Sequence, residues 1–249
     1  MHKITLVYFS PTGNTQKSLE AMALAVGDSF ETLDLTVPGD MVSRQFTKED
    51  TVILGAPVYG GRIPQIARER FTSVQGDHTP CLIAATYGNR DFDDALVEMA
   101  DLAAEQGFVV KGAAALIGRH TFGEIQINRP DADDLAADAE FARTALAKPH
   151  DAPAFSIPGN RPYKDGGKGG KFRPLTSDAC VKCGLCVAGC PVQAIGQDCV
   201  SVADHCISCF RCIRRCPMGA KNMDTEGYQE FAVMFTEKLK NRRENQFFL

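Results

Sequence analysis

The 249-residue sequence predicts an α/β domain built on a doubly wound parallel sheet, followed by a small cysteine-rich α+β domain. Three observations carry that prediction. Through residues 1–147, apolar runs with the content of buried strands alternate with amphipathic helical patterns. Nine of the ten cysteines lie after residue 179, and only Cys81 precedes it. Between the two regions, residues 148–176 hold five prolines and five glycines with few apolar anchors, the composition of a linker or an extended strap. The expected organisation is therefore 1–147, a linker at 148–176, and 177–249.

The elements follow in order. "KITLVYF" (3–9) is β-branched and aromatic, as a buried strand requires, and it runs into the turn "SPTGNT". Leu19, Met22, Ala23 and Val26 then recur on one helical face that stops at Gly27. Further strand patterns lie at 30–37, 51–57, 80–88 and 108–118, and helical patterns at 64–73, 92–106 and 131–147. The crossover at 38–50 is short and poorly helical. Near the end, Tyr228, Phe231, Ala232, Phe235 and Leu239 share one face of a terminal helix, which is expected to pack on the protein's own core, with a homodimer contact as the alternative.

Composition narrows the class. The N-terminus lacks the features of a secretory signal, and no apolar run approaches the roughly 18 residues needed to span a bilayer, so a soluble cytoplasmic protein without membrane insertion is expected. In a reducing compartment, dense cysteines bind metal more often than they pair. The net charge of −4 is divided: residues 1–147 carry 12 Lys+Arg against 21 Asp+Glu, and the rest carry 15 against 10. Thiolate-bound metal clusters of about −2 each would offset that positive excess, so it is not read as a nucleic-acid surface. Lys164, Lys168, Lys171 and Arg173 in the linker are read as solvated charge and not as a docking patch.

"CVKCGLCVAGCP" (180–191) and "CISCFRCIRRCP" (206–217) repeat one spacing, C-x2-C-x2-C-x3-C-P. Zinc sites usually take two ligand pairs with a long gap, whereas this run holds a cubane iron–sulfur cluster. Two copies imply two 4Fe-4S clusters. Three cysteines of each run bind one cluster and the fourth crosses to the other, which assigns Cys180, Cys183, Cys186 and Cys216 to one, and Cys206, Cys209, Cys212 and Cys190 to the second. Pro191 and Pro217 fix the chain direction after each crossing residue. Cys81 and Cys199 are read as small buried residues, and His205 as a packed or solvated side chain. Arg211, Arg214 and Arg215 surround the second run and are expected to raise its potential above that of the first.

"SPTGNT" lies at the carboxyl edge of the predicted sheet, where open α/β folds bind ligands. Ser10, Thr12 and Thr15, with backbone N–H groups around Gly13 and Asn14, can surround a phosphate at a helix N-terminus. The stretch matches neither nucleotide-binding glycine motif, which argues against an NTPase or a dinucleotide site. "PVYGGRIP" (57–64) and "TYGNRDFDD" (86–94) follow strands at the same edge, each with a tyrosine among glycines.

On these motifs, residues 1–147 resemble flavodoxin: S-x-T-G-N-T resembles its phosphate loop, and the two later segments resemble the loops flanking the isoalloxazine ring. The resemblance implies flavin mononucleotide (FMN) and a five-stranded parallel sheet in the order 2-1-3-4-5. It implies ring stacking by Tyr59 and Tyr87, in loops that include Pro57, Val58, Gly60, Thr86, Gly88, Asn89 and Arg90. The chain has no tryptophan, so the tryptophan that many flavodoxins stack on flavin is absent. His120, after the last strand, is placed to approach the flavin. Residues 176–224 resemble a two-cluster bacterial ferredoxin, and the whole chain, including "PGNRPYK", resembles the bacterial flavodoxin–ferredoxin fusion family.

Clusters carry one electron and flavin one or two, so such a chain is expected to transfer electrons between two 4Fe-4S clusters and FMN, in exchange with redox partner proteins. Two alternatives stand beside it. One is an FMN-dependent reductase of a small acceptor, and the other a ferredoxin whose first domain is a flavin-free docking module. No general base or nucleophile motif is evident.

Overall fold

The computed structural model describes residues 3–39, 43–149, 153–166, 170 and 172–249. The uncharged stretch at the start forms β1 (Ile4–Tyr8), buried along its whole length. It leads through the turn into α1 (Asn14–Val26). Strands β2 (Phe30–Asp34), β4 (Thr51–Pro57), β6 (Thr79–Tyr87) and β7 (Phe108–Ile117) join β1 in one parallel sheet, ordered β2-β1-β4-β6-β7. Counted among themselves, these five run 2-1-3-4-5. Helices α1 and α4 (Ala132–Leu146) cover one face, where Leu19, Met22 and Ala23 pack with Phe141, Ala142 and Ala145. On the other face, α2 (Gln65–Phe71) and α3 (Ala95–Glu105) bring Ala67, Phe71, Leu96, Met99 and Leu102 against the strands. Every ligand-facing loop therefore leaves one edge of the sheet.

The sheet departs from five strands. β10 (Gln246–Phe248) pairs antiparallel with β7, Phe247 opposite Ala114. Alternation along a strand sends its two aromatic rings to opposite faces: Phe247 stacks on Phe141 at 5.0 Å, and Phe248 lies 6.3 Å from Phe92. The last residues thus belong to the first sheet and not to the cysteine-rich unit, as a division at 177 would have it. The poorly helical crossover at 38–50 contains β3 (Arg44–Phe46), which pairs in parallel with β5 (Val74–Gly76); residues 40–42 lie outside the described residues.

The described part of the linker is a fastened strap. Buried Asp94 accepts hydrogen bonds from Asn160 N, Asn160 Nδ2 and Lys164 N, and Asp101 binds Arg161 and Tyr163. Lys164 pairs with Asp93 at 3.2 Å and Arg173 with Asp204 at 2.7 Å, so these two cations are partnered and not merely solvated. Lys168 and Lys171 lie outside the described residues.

In the cysteine-rich half, β8 (Leu175–Thr176) and β9 (Lys221–Asn222) form a small ladder, and α5 (Leu185–Ala188) and α6 (Arg211–Arg214) each carry one cysteine. The 26-residue offset between the cysteine runs recurs in the backbone. Lys182 and Ser208 have φ 53° and 51°, and the residues before the two helices, Gly184 and Phe210, have φ 78° and 59°. Helix α7 (Glu226–Lys238) lays Tyr228, Phe231 and Phe235 against Phe122, Phe172 and His120, so its aromatic stripe packs on the chain itself. No described helix is long and apolar enough to cross a membrane.

The junction between α4 and the returning tail contains an ionisable group. Asp138 is fully buried and accepts from Asn245 Nδ2, while Asn245 Oδ1 accepts from Ile117 N. Burial pushes the Asp138 carboxyl up to about 7. A carboxyl raised in the folded state keeps a proton that the unfolded chain releases, so stability falls as pH rises from about 4 to about 7. Asp138→Asn removes that slope, which is worth up to about 1.4 kcal/mol per pH unit. Urea midpoints of the two proteins should diverge in the variant's favour between pH 5 and 7, and parallel profiles would refute the assignment.

Candidate cofactor sites

A cavity of about 170 Å³ opens at the carboxyl edge of the sheet. Ser10, Thr12, Asn14 and Thr15 line one end, and Pro57, Val58, Tyr59, Gly60, Thr86, Tyr87 and Gly88 line the rest of the sheet side. Gly13 is the N-cap of α1 at φ 86°, which turns the chain so that the Asn14 and Thr15 N–H groups begin the helix without intrahelical acceptors. Ser10 Oγ accepts from Gln16 N at 3.1 Å and so caps the helix, leaving less of it for a ligand. Asn14 Nδ2 donates to Arg119 O at 2.9 Å, which ties this turn to the loop after β7. The donor set fits the phosphate of FMN, and Thr86, which lines the cavity, has a buried Oγ1 with no partner among the described residues.

The ring-flanking loops divide differently from expectation. Tyr59 and Arg62 bond each other's backbone across Gly60 and Gly61, whose φ of 64° and 90° make the tight turn that this Gly-Gly pair favours. Tyr59 is half-buried on the cavity wall and hydrogen-bonded to Thr121, and burial pushes its phenol well above the usual range. Tyr87 is instead a core residue, 3% exposed, its ring edge-on to Phe92 at 5.6 Å, and so not placed as a stacking ring. Asn89 and Arg90 do not line the cavity. Asn89 Nδ2 donates to Leu239 O and Asn241 O, and Arg90 pairs with Asp93, because the returning C-terminal tail lies over this loop.

The loop after β7 supplies what the motifs did not indicate. Gly118, Arg119, His120, Thr121 and Phe122 all line the cavity. The Phe122 N–H donates to His120 Nδ1 at 2.8 Å, which leaves the imidazole proton on Nε2. Burial lowers this imidazole to about 4, so it is neutral at physiological pH.

The eight run cysteines gather into two rings. Cys180, Cys183, Cys186 and Cys216 line one void, and Cys190, Cys206, Cys209 and Cys212 the other. Among the described residues, no three His, Cys, Asp or Glu side chains close on a point suited to a single metal ion; the thiols stand around a space. Ala194 N donates to Cys190 Sγ at 3.3 Å and Ala220 N to Cys216 Sγ at 3.2 Å, the kind of backbone donor that favours a charged sulfur. This donor chemistry fits 4Fe-4S clusters. Burial pushes the Cys209 and Cys212 thiols up to about 12, so cluster binding would displace their protons. Cys81 is buried in the sheet core, Cys199 is buried beside the first ring, and His205 bonds Val192 O.

Ile207 and Ser208 line both the flavin-type cavity and the second void, so the two sites share a wall. Cys209 and Cys206 act electrostatically on the Tyr59 phenol across it. The arginines expected around the second ring turn toward the first domain. Arg211 donates to Pro11 O and Gly189 O, and Arg214 donates to His120 O.

Residues 5–87 match the family described as flavodoxin domain, and residues 175–196 the family described as 4Fe-4S binding domain. No curated protein sequence matches the chain. Among solved structures, a flavodoxin from the domain Archaea is 15% identical over 57% of this chain and 95% of its own, with TM-score 0.39. Flavodoxin 2 from Bacillus cereus is 15% identical over 58% and 97%, with TM-score 0.44. Rubredoxin oxygen:oxidoreductase from Desulfovibrio gigas is 13% identical over 59% of this chain and 38% of its own, with TM-score 0.40. One polypeptide thus joins a flavodoxin-like sheet, matched to the flavodoxin domain over residues 5–87, to a segment matched to the 4Fe-4S binding domain over residues 175–196.

Proposed function

We propose that the chain is an electron-transfer protein that passes single electrons between two 4Fe-4S clusters and FMN. When bound, the clusters exchange one electron at a time and the flavin one or two. The shared wall of Ile207 and Ser208 supports this reading most directly, because transfer by tunnelling needs the two sites adjacent. Tyr59 and the His120–Phe122 loop bound the cavity on the side of the second ring, and neutral His120 adds no charge there. The first ring lies outermost: Cys183 is exposed, and Val181, Leu185 and Met218 beside it are 62%, 56% and 51% exposed. Redox partner proteins would meet the chain at that ring, which makes the sites a series from solvent to flavin.

Anaerobically reconstituted protein should contain about eight iron atoms and one FMN per chain. Four iron atoms or fewer would exclude the second cluster, and a supernatant without flavin fluorescence after acid precipitation would favour a flavin-free docking module.

Transfer within one chain has a kinetic signature. After photochemical injection of one electron, the flavin absorbance change should follow cluster bleaching at a rate independent of protein concentration over a tenfold range. A rate proportional to concentration would mean transfer between molecules and would overturn the intrachain route.

A further inference from the structure

The cysteine runs are copies offset by 26 residues, so each position in one has a counterpart in the other. Ile195 and Lys221 are such a pair, each five residues beyond a crossing cysteine and each preceded by an alanine. Those alanines, Ala194 and Ala220, make the same N–H contact to the crossing sulfur, so the local backbone is alike and the side chains differ. Ile195 is 5% exposed and lines the second void; Lys221 is 3% exposed and lines the first.

A buried ammonium without a negative partner is costly. Among the described residues, Lys221 has no ion pair to a carboxylate, and its Nζ donates to a neutral hydroxyl, Thr176 Oγ1, at 2.7 Å. Asp198, a carboxylate within its electrostatic reach, is exposed. The negative charge that remains is on sulfur. Lys221 lines the first void together with Cys186 and Cys216 and does not line the second.

We propose that Lys221 is the fixed counter-charge of the first cluster and sets its reduction potential above that of the second. Reduction makes a cluster more negative, and a cation held in a low-dielectric wall favours that state. At the second void the same position is filled by the neutral Ile195, and among the described residues no lysine or arginine lines that void. Of the arginines within the second run, Arg211 and Arg214 direct hydrogen bonds to carbonyls of Gly189, Pro11 and His120, and Arg215 is exposed. This ordering is the reverse of the one their positions in the sequence suggest. It leaves the transferred electron resting on the outer cluster, away from the flavin.

The proposal rests on reading both thiol rings as cluster sites, and iron analysis tests that separately: four iron atoms or fewer in the wild type would sink that reading and leave the role of Lys221 unaddressed by it. Given about eight, anaerobic redox titration followed by electron paramagnetic resonance should resolve two waves. Lys221→Ile, which installs the counterpart side chain, and Lys221→Met should lower the upper wave by at least tenfold in its equilibrium, 59 mV for one electron, and move the lower wave less. Lys221→Arg should keep it high. If the neutral variants lose iron while Lys221→Arg retains it, the counter-charge role stands. An upper wave unmoved in both neutral variants at full iron content, or iron lost from the arginine variant as well, would overturn it.

Discussion

Two buried guanidinium groups hold the cysteine-rich unit to the first sheet, and the geometry of every site follows from them. Arg70, at the end of α2, donates to Leu35 O and Thr36 O within its own domain and to Pro191 O across the boundary. Arg211, at the start of α6, donates to Gly189 O and to Pro11 O in the phosphate-type turn. The segment Gly189–Pro191, which carries the crossing Cys190, is therefore gripped from both domains. Charge-assisted hydrogen bonds of this kind contribute about 1.5–3 kcal/mol each, and an abandoned buried carbonyl costs about 1–3 kcal/mol. The relation between cavity and second ring is consequently a property of the packed interface. The strap adds connectivity and fastens to α3, but its length does not set that distance.

A second set of contacts closes the same interface with apolar surface. The residue just before α6 is Phe210, held at φ 59° where its counterpart Gly184 adopts the same region without a side chain. A side chain there costs roughly 1–2 kcal/mol. The ring recovers it by lying 5.3 Å from Phe122 and 5.7 Å from Tyr228, edge contacts each worth about 0.5–1.5 kcal/mol beyond their area. Phe122 also lines the flavin-type cavity, so the aromatic cluster that anchors α7 forms part of the cofactor wall. The tail then returns to the first sheet as β10, held by Asn245 and by the Asn89 contacts with Leu239 and Asn241.

This division explains what the sequence discloses. The cysteine spacing, the glycine turn and the strand–helix alternation are local patterns, and each maps onto the fold with its residues together. Asn89 and Arg90 take their places from a tail some 150 residues away, whose short "QFF" run carries no strand signal of its own. Tyr87 lines the cavity, but alternation along β6 turns its ring toward Phe92, which the local motif does not disclose. Arg119 to Phe122 follow a strand without a glycine motif, and the place of His120 after the last strand is the one cue to this loop in the sequence.

The choice of acceptors at the interface has an electrostatic reason. A carboxylate facing Arg211 or Arg70 would complete an ordinary buried ion pair, yet it would also place a negative charge beside thiolate clusters that are themselves anionic. Backbone carbonyls accept the same hydrogen bonds and leave the guanidinium charge uncancelled. Asp34 is the acid that acts on both arginines electrostatically, and it lies on the side of the first sheet. The excess of cations after residue 147 is therefore positioned and not diffuse: Lys221 faces the first void, while Arg211, opposite Arg70 of the first domain, flanks the crossing segment of the second. Burial lowers the proton affinity of both guanidiniums, but a group whose ordinary value lies so high remains charged, so this positive field persists at every pH the fold survives.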